Sequence, residues 1–377
     1  MKLRPTLHYV LWALLLGGAH TLTAGILYNV TDLGTLGGKN SFGYAINNAG
    51  HVTGTSDIAT PGSYPDAFLY SNGQMTDLGT LGGRSPGSTG FGLNNAGQVT
   101  GVSYQNVGPG GEMGTIIVND AFLYSNGQMM SLRAPDDSFG YGINDAGQVT
   151  GYYTSMGVTH AFLYSNGQIT DLGNLGGPYD SSGKAINNAG QVTGYSSTPS
   201  GAAHAFLYTN GQMNDLGSLP GGFGSFGYSI NNAGQVAGFS WTVGTSSPHA
   251  FLYSNGQMMD LGTLPGYSAG SSGQAINNAG QVVGYSSAPD TGARHPFLYN
   301  NGQMSDLNSL IDPALGLTLV EAYGINDNGQ IVVNGIAKSA TNEHAYLLTP
   351  VPEPSTWALL GLSGLLLSAK LRRSARP

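Results

Sequence analysis

The 377-residue chain contains no cysteine. That removes disulfides, thiolate metal sites and cysteine nucleophiles together. Charge is also scarce, with Asp, Glu, Lys and Arg at 8% of residues. Long apolar runs are confined to the two ends, and each is short against the ~20 residues of a spanning helix. Glycine is abundant instead, at 61 residues. Such a composition often accompanies disorder, but 40% of this chain is hydrophobic, and Tyr, Phe, Val and Leu recur in short runs. Ordered β-structure follows from that combination. The length allows one large domain or two ordinary ones.

The ends read as targeting segments. Lys2 and Arg4 precede an apolar run from Tyr9 to Gly18, and small residues follow as far as Ala24. This is the order of a secretory signal peptide, residues 1–24, with cleavage after Ala24 and Ala19 as the alternative. A membrane anchor is the competing reading, and the short run disfavours it. At the other end Pro352, Glu353 and Pro354 form a hinge before an apolar segment, Trp357 to Ala369, which is expected to form a short hydrophobic helix. Lys370, Arg372, Arg373 and Arg376 follow, a cluster that should stay cytoplasmic. Residues 351–377 closely resemble the PEP-CTERM sorting signal of Gram-negative bacteria. The resemblance implies recognition by an exosortase, a membrane transpeptidase-like enzyme. It also implies a membrane contact through the helix before processing, and delivery to the cell surface or exopolysaccharide layer.

These ends hold six of the 12 basic residues, so the body keeps six against 19 of the 20 acidic ones, a net charge of −13. No basic patch exists to neutralise phosphates, which argues against nucleic acid and strongly anionic polysaccharides as partners.

Between the ends the chain repeats itself. A phrase of the type "INNAGQVTG" begins at Ile46, Leu93, Ile143, Ile186, Ile230, Ile276 and Ile325, at intervals of 47, 50, 43, 44, 46 and 49 residues. Periods of this size mean a solenoid or a propeller. Each unit offers four short strands: "GYAIN", "QVTGYS", then after a variable loop "HAFLY", and finally "QMTDLG". Asn-Ala-Gly joins the first two and Asn-Gly the last two, supplying the positive φ angles of tight turns. In "AFLY" neighbouring residues are both apolar, as in a strand covered on both faces. Four antiparallel strands with both faces covered describe a propeller blade.

The cut of the repeat points to a ring. Residues 28–38, "YNVTDLGTLGG", are a fourth strand with no blade before it, and residues 343–350, "EHAYLLTP", are a third strand with no fourth after it. Six complete units lie between a lone fourth strand and a final three-stranded unit, so each strand type occurs seven times. Complementary end fragments close a circle and remove two exposed edges. The expected fold is an all-β, seven-bladed propeller over residues 25–350, closed by the N-terminal strand.

These phrases resemble the HAF-repeat extracellular proteins. "HAF" stands at His160, His204 and His249, "HPF" at His295 and "HAY" at His344, while Asp66 and Asp120 replace the histidine in the first two units. The resemblance implies a surface or extracellular location and a repeat-built fold, and no catalytic activity.

Five histidines in one structural position invite a metal reading. Their strand should lie roughly 10 Å outside the inner one. Equivalent residues on neighbouring blades are then too far apart to share an ion held at about 2 Å. A polar network buried within each blade is the expected role. Its partner lies eleven residues on, at Asp77, Ser131, Asp171, Asp215, Asp260 and Asp306. By the same rule His344 should meet Asp32 across the ring closure, and losing it should cost about 1–3 kcal/mol.

Other motifs carry less. The Asn-rich turns contain carboxylates only at Asp145 and Asp327, so Asx-turn chemistry is expected rather than calcium. "GRSPG" at Gly83 and "GYSAG" at Gly266 fit a nucleophile pattern, and "GFGSFG" at Gly222 fits a dinucleotide pattern. None has the required strand-turn-helix context. No cofactor or metal is implied. The sequence therefore points to a non-enzymatic surface protein with a structural or adhesive role, meeting exopolysaccharide or another surface protein. The alternatives are a glycan-active enzyme or a small-ligand-binding propeller that uses its variable loops. The longest such loop runs from Val102 to Asp120, and Trp241 opens the next most distinctive.

Overall fold

The computed structural model describes residues 27–351, apart from 61, 83–86, 108–115, 244–246 and 339. The signal-peptide reading with Ala24 and the tail residues Pro352, Glu353, Pro354, Arg372 and Arg373 lie outside the described residues, as does the apolar C-terminal segment.

Seven four-stranded antiparallel sheets make a seven-bladed β-propeller. The six internal blades run in chain order from the channel outwards, from Gly37–Ile46, Val52–Ile58, Asp66–Ser71 and Gln74–Asp77 in the first to Ser271–Ile276 through Gln303–Asp306 in the sixth. In the seventh blade the outer strand is Tyr28–Asp32, paired with Glu343–Pro350. Its register sets Tyr28 opposite Pro350, Val30 opposite Leu348 and Asp32 opposite Tyr346. The closure read from the cut repeat is the closure observed.

The turns form for the reasons the sequence gives. Asn72 and Gly73 have φ of 52° and 79°, and the Asn-Gly pairs of the next five blades repeat these values closely. Both central residues of a type I′ hairpin need positive φ. Glycine in the second strand answers a different need, since a Cβ on Gly194 would lie 1.9 Å from the Ser182 carbonyl oxygen.

The core is divided among the blade interfaces. Seven apolar clusters occur among the described residues, each built from two adjacent blades. Ala161 and Leu172 of the third blade, for example, meet Ile186, Val192 and Phe206 of the fourth. Phe68, Phe122, Phe162, Phe206, Phe251 and Phe297, one from each internal blade, are wholly buried. This explains why "AFLY" is apolar on both faces: one face packs within its own interface and the other against the next blade.

Serine ties the same interfaces. The inner-strand serine of each of the first six blades accepts from the third-strand alanine N–H of the blade before it, at 2.8 to 3.1 Å. Ala345 to Ser41 carries this bond across the ring closure. In the sixth blade Pro296 has no N–H to give. The seventh blade there presents Leu319 opposite Gly335, where the first blade pairs Ser41 with Ser56.

Candidate functional site: the central channel and the strand clasps

Inner strands line the channel, so three consecutive repeat positions become three stacked rings. At one mouth the first asparagine of each "NN" pair donates from its carboxamide to the backbone carbonyl of its counterpart in the next blade. Asn47 donates to Asn94, Asn94 to Asn144, and so on to Asn326, which donates to Asn47, all at 2.9 to 3.1 Å. The seven bonds close on themselves. The second residues make another closed circle, in which each backbone N–H donates to the next side-chain oxygen at 2.9 to 3.0 Å. Each first asparagine is also an Asx turn: Asn187 Oδ1 accepts from the N–H groups of Ala189 and Gln191. The sequence showed that turn but not the two rings, which require knowing that equivalent residues lie side by side.

Asp145 and Asp327 fit the second circle as acceptors. Burial alone would raise the pKa of Asp145, but bonds from the Asn95 N–H and from the Asn95 and Asn188 carboxamides outweigh it and hold the carboxyl low. These oxygens are already committed to neighbours in the circle. Among the described residues no group of three His, Asp or Glu side chains is placed to hold a metal ion.

Below the asparagines comes an apolar collar, Leu93 and six isoleucines from Ile46 to Ile325. Two residues earlier in each strand the sevenfold pattern breaks. Four blades present tyrosine, at Tyr44, Tyr141, Tyr228 and Tyr323; the others present Phe91, Lys184 and Gln274. These seven side chains border a cavity of about 250 Å³. Burial pushes the phenols of Tyr44, Tyr228 and Tyr323 up to about 12, and that of Tyr141 up as well. They remain O–H donors at neutral pH. Lys184 Nζ lies 3.6 Å from the centroid of the Tyr141 ring and 5.5 Å from that of Tyr195. Burial lowers its pKa to about 8.

The surrounding wall is asymmetric. On the second strand, the position paired with the inner-strand residue two before this ring is aromatic in the third to sixth blades: Tyr152, Tyr195, Phe239 and Tyr285. It is Thr55, Val102 and Asn334 elsewhere. Phe139 stacks on Tyr152 at 5.0 Å, Tyr195 meets Phe226 at 4.4 Å, and Phe226 stacks on Phe239 at 5.0 Å. Trp241 joins the fifth blade's cluster through Phe223, Phe226 and Phe239 rather than standing apart in a loop. Across the ring, Glu321 bonds Arg294 and the Tyr323 hydroxyl. The sequence reading placed blade-to-blade difference in the loops and missed this position. Aligning the units and comparing the residue two before each collar position would have found it.

The repeated histidines lie on the blade flanks. Their Nδ1 atoms reach the paired outer-strand aspartate at 3.0 Å for His160 and Asp171, 2.9 Å for His204 and Asp215, and 2.9 Å for His249 and Asp260. His295 and Asp306 stand at 2.8 Å, and His344 and Asp32 at 3.0 Å. Each aspartate also ends its strand. Asp260 Oδ1 accepts from Gly262 N–H, as Asp32 Oδ1 does from Gly34 N–H. One correction is needed: the pairs are not buried. The histidine side chains are 21 to 33% exposed and the aspartates 27 to 48%, because the outer strand has no further strand to cover it. The His344–Asp32 pair is therefore worth less than a buried network. Its coupling in a double-mutant cycle of His344→Ala and Asp32→Ala should be about 0.5–1 kcal/mol by urea denaturation. Strictly additive losses would show that the contact holds nothing.

The first two blades solve the same position differently. Ser131 Oγ donates to Asp120 at 2.8 Å. Asp66 faces Asp77 with no hydrogen bond between them among the described residues. Burial, and then the charge of Asp77, raises the Asp66 pKa to about 6. A raised carboxyl pKa means the folded state holds its proton longer, so this site costs stability as pH rises from about 4 to 6. Asp66→His restores the pairing of the other blades. It should raise stability at pH 7 by about 1 kcal/mol at most, given solvent screening. An unchanged or lower denaturation midpoint would contradict this.

Comparison with known proteins addresses the tail, not the ring. Residues 350–374 match the PEP-CTERM protein-sorting motif. This motif marks an extracellular or cell-surface protein that an exosortase recognises and processes. No curated protein matches the chain. Among solved structures, a gluconolactonase from Xanthomonas campestris is 12% identical, with a TM-score of 0.36 over 62% of this chain and 82% of its own. TolB from Acinetobacter baumannii is 12% identical, with a TM-score of 0.38 over 80% of this chain and 63% of its own. The six-bladed Aleuria aurantia lectin is 9% identical, with a TM-score of 0.36 over 74% and 94%. Likenesses this distant carry no argument about activity or ligand.

Proposed function

We propose that this chain is a non-enzymatic surface protein of the HAF-repeat type, with a structural or adhesive role in the envelope or exopolysaccharide matrix. The observation that supports the reading is where the repeated polar groups are spent. Histidine binds aspartate within a blade, serine binds the next blade, and asparagine closes the rings. The recurring phrases are thus architecture, which suits a rigid, protease-resistant unit outside the cell. Residues 1–24 as a cleaved signal peptide, and a C-terminal membrane helix with its basic tail, complete the route to the surface.

Glycan-array binding by the secreted body, with a glycan-hydrolysis assay alongside, tests the role. Binding without turnover supports adhesion, and turnover of any bound glycan overturns it. For the sorting step, Glu353→Ala should leave an unprocessed, membrane-associated precursor on a cell-fractionation blot. Normal surface delivery of that variant would remove this motif from the route.

A further inference from the structure

Lys184 is the one cation in the channel ring. The same repeat position is aromatic in five other blades and a carboxamide in the sixth. Its ammonium contacts two aromatic faces and no carboxylate among the described residues. An ammonium taken from water without a counter-ion is costly, and a repeat that offers tyrosine at this position has a cheaper choice at hand. The site is electrostatically incomplete as it stands, and an anion would complete it.

The rest of the cavity says what carries that anion. Tyr44, Phe91, Tyr141, Tyr228 and Tyr323 line the cavity with Lys184, aromatic side chains against which a sugar ring can pack. Tyr228, a neighbour in the ring, can donate a hydrogen bond, and Gln274 can donate or accept one, while the Tyr141 hydroxyl is engaged with Tyr152. On the opposite side, between the seventh and first blades, Glu343 bears on Tyr44 and Tyr323. Tyr44 lines the cavity on that side, and its hydroxyl can donate to or accept from ligand hydroxyls. A ligand that fits is anionic at one end, hydroxylated at the other and flat-faced between, within about 250 Å³.

We propose that the channel ring binds a sugar acid, one hexose-sized unit whose carboxylate sits on Lys184 and whose ring packs against the aromatic side chains of the channel ring. This names a ligand for the adhesive reading and rests on it only for the setting in which a glycan is met. The body's net charge of −13 disfavours a dense polyanion but not a single carboxylate brought to a single ammonium.

The binding should depend on pH in one direction. The carboxylate needs the protonated amine, and the free amine loses its proton near pH 8. Affinity should therefore be level below pH 7 and fall about tenfold between pH 7 and 9. The phenols of Tyr141, Tyr152, Tyr195 and Tyr228 around it all sit above their ordinary value and stay protonated there. Asp180 behind Tyr195 and Asp137 behind Tyr152 are the nearby carboxylates that act on this wall.

The test is calorimetric titration of the secreted protein with D-glucuronate, D-glucose and acetate. Glucuronate should bind at least about tenfold more tightly than either of the others, the equivalent of one good charge-assisted contact. Lys184→Met and Lys184→Gln should each abolish that preference. Lys184→Met should also raise the ligand-free Tm, by ~2 °C or more, because it removes an unpaired buried charge. A purely structural lysine predicts a lower Tm instead, which would overturn the proposal. Equal affinity for glucose would assign the wall to neutral sugars, and equal affinity for acetate would reduce the site to an anion contact; either result overturns it. Absent glucuronate binding alongside glycan-array binding would sink this site alone. Glucuronate binding without array binding would sink the adhesive reading alone.

Discussion

A variant lacking residues 28–34 is expected to lose at least about 5 kcal/mol of stability, lower the Tm by ~10 °C or more, and aggregate. The strand Tyr28–Asp32 is the only piece of the seventh blade that comes from the other end of the chain. With it go the buried Tyr28 and Leu33, at 7% and 5% exposure. Burying each such side chain is worth about 1.5–3 kcal/mol. Its removal also bares the paired edge of Glu343–Pro350, whose Leu347 and Leu348 are buried in the intact ring. A long apolar edge is a template for another chain, so aggregation should accompany the loss. The control separates closure from mere truncation. Tyr28 stands opposite Pro350, so the deleted strand can be reattached after Val351 through an Asn-Gly turn like those of the other blades. That permuted variant should recover most of the lost Tm, measured by scanning calorimetry and light scattering. Equal instability of the deleted and permuted variants would mean the strand's contribution is not the pairing itself.

Much of this architecture could be read before any coordinates. Seven "INNAGQVTG"-type phrases set the blade count, and the lone fourth strand at Tyr28 against the lone third strand at His344 set the closure. The eleven-residue spacing placed His344 against Asp32, 312 residues away. What escaped was anything that depends on neighbouring blades touching. The interval between equivalent asparagines varies from 43 to 50 residues, and nothing in that spacing says the side chains meet. Exposure of the histidine pairs was misjudged for a related reason: a strand's place in a blade is legible, but how much solvent reaches the outermost strand is not. Nothing in the sequence marks Lys184, because its unit otherwise looks ordinary. Its meaning appears only when seven inner strands are set around one axis.

Asn187→Ala is expected to cost about 3–5 kcal/mol, while Asn188→Ala, one residue along, should cost about 1 kcal/mol or less. The two share a turn and a side chain but not an environment. Asn187 is 4% exposed and makes four side-chain bonds. Its oxygen holds the N–H groups of Ala189 and Gln191, and its nitrogen reaches Gln191 Oε1 at 2.7 Å and the Asn231 carbonyl at 3.0 Å. Truncation leaves four hydrogen-bonding groups short of partners at a buried position. It also breaks one link in a closed circle of seven, so the fourth and fifth blades keep only the outer of their two ties at the channel mouth. The Asn188 side chain makes two bonds, both to Asp145, at an exposed position where water substitutes readily. Asn187→Asp sharpens the comparison. The carboxylate keeps both bonds to N–H groups but turns acceptor lone pairs toward two acceptors. It should be as damaging as alanine at pH 7. Its folded pKa should be raised, so the penalty is present above that pKa and relieved as the pH falls through it, when the protonated carboxyl can donate again. Urea denaturation of the three variants at pH 7 and pH 4.5 reads all of this. Equal losses at 187 and 188, or an aspartate variant indifferent to pH, would show that the inner circle of asparagines is not what holds the mouth of the ring closed.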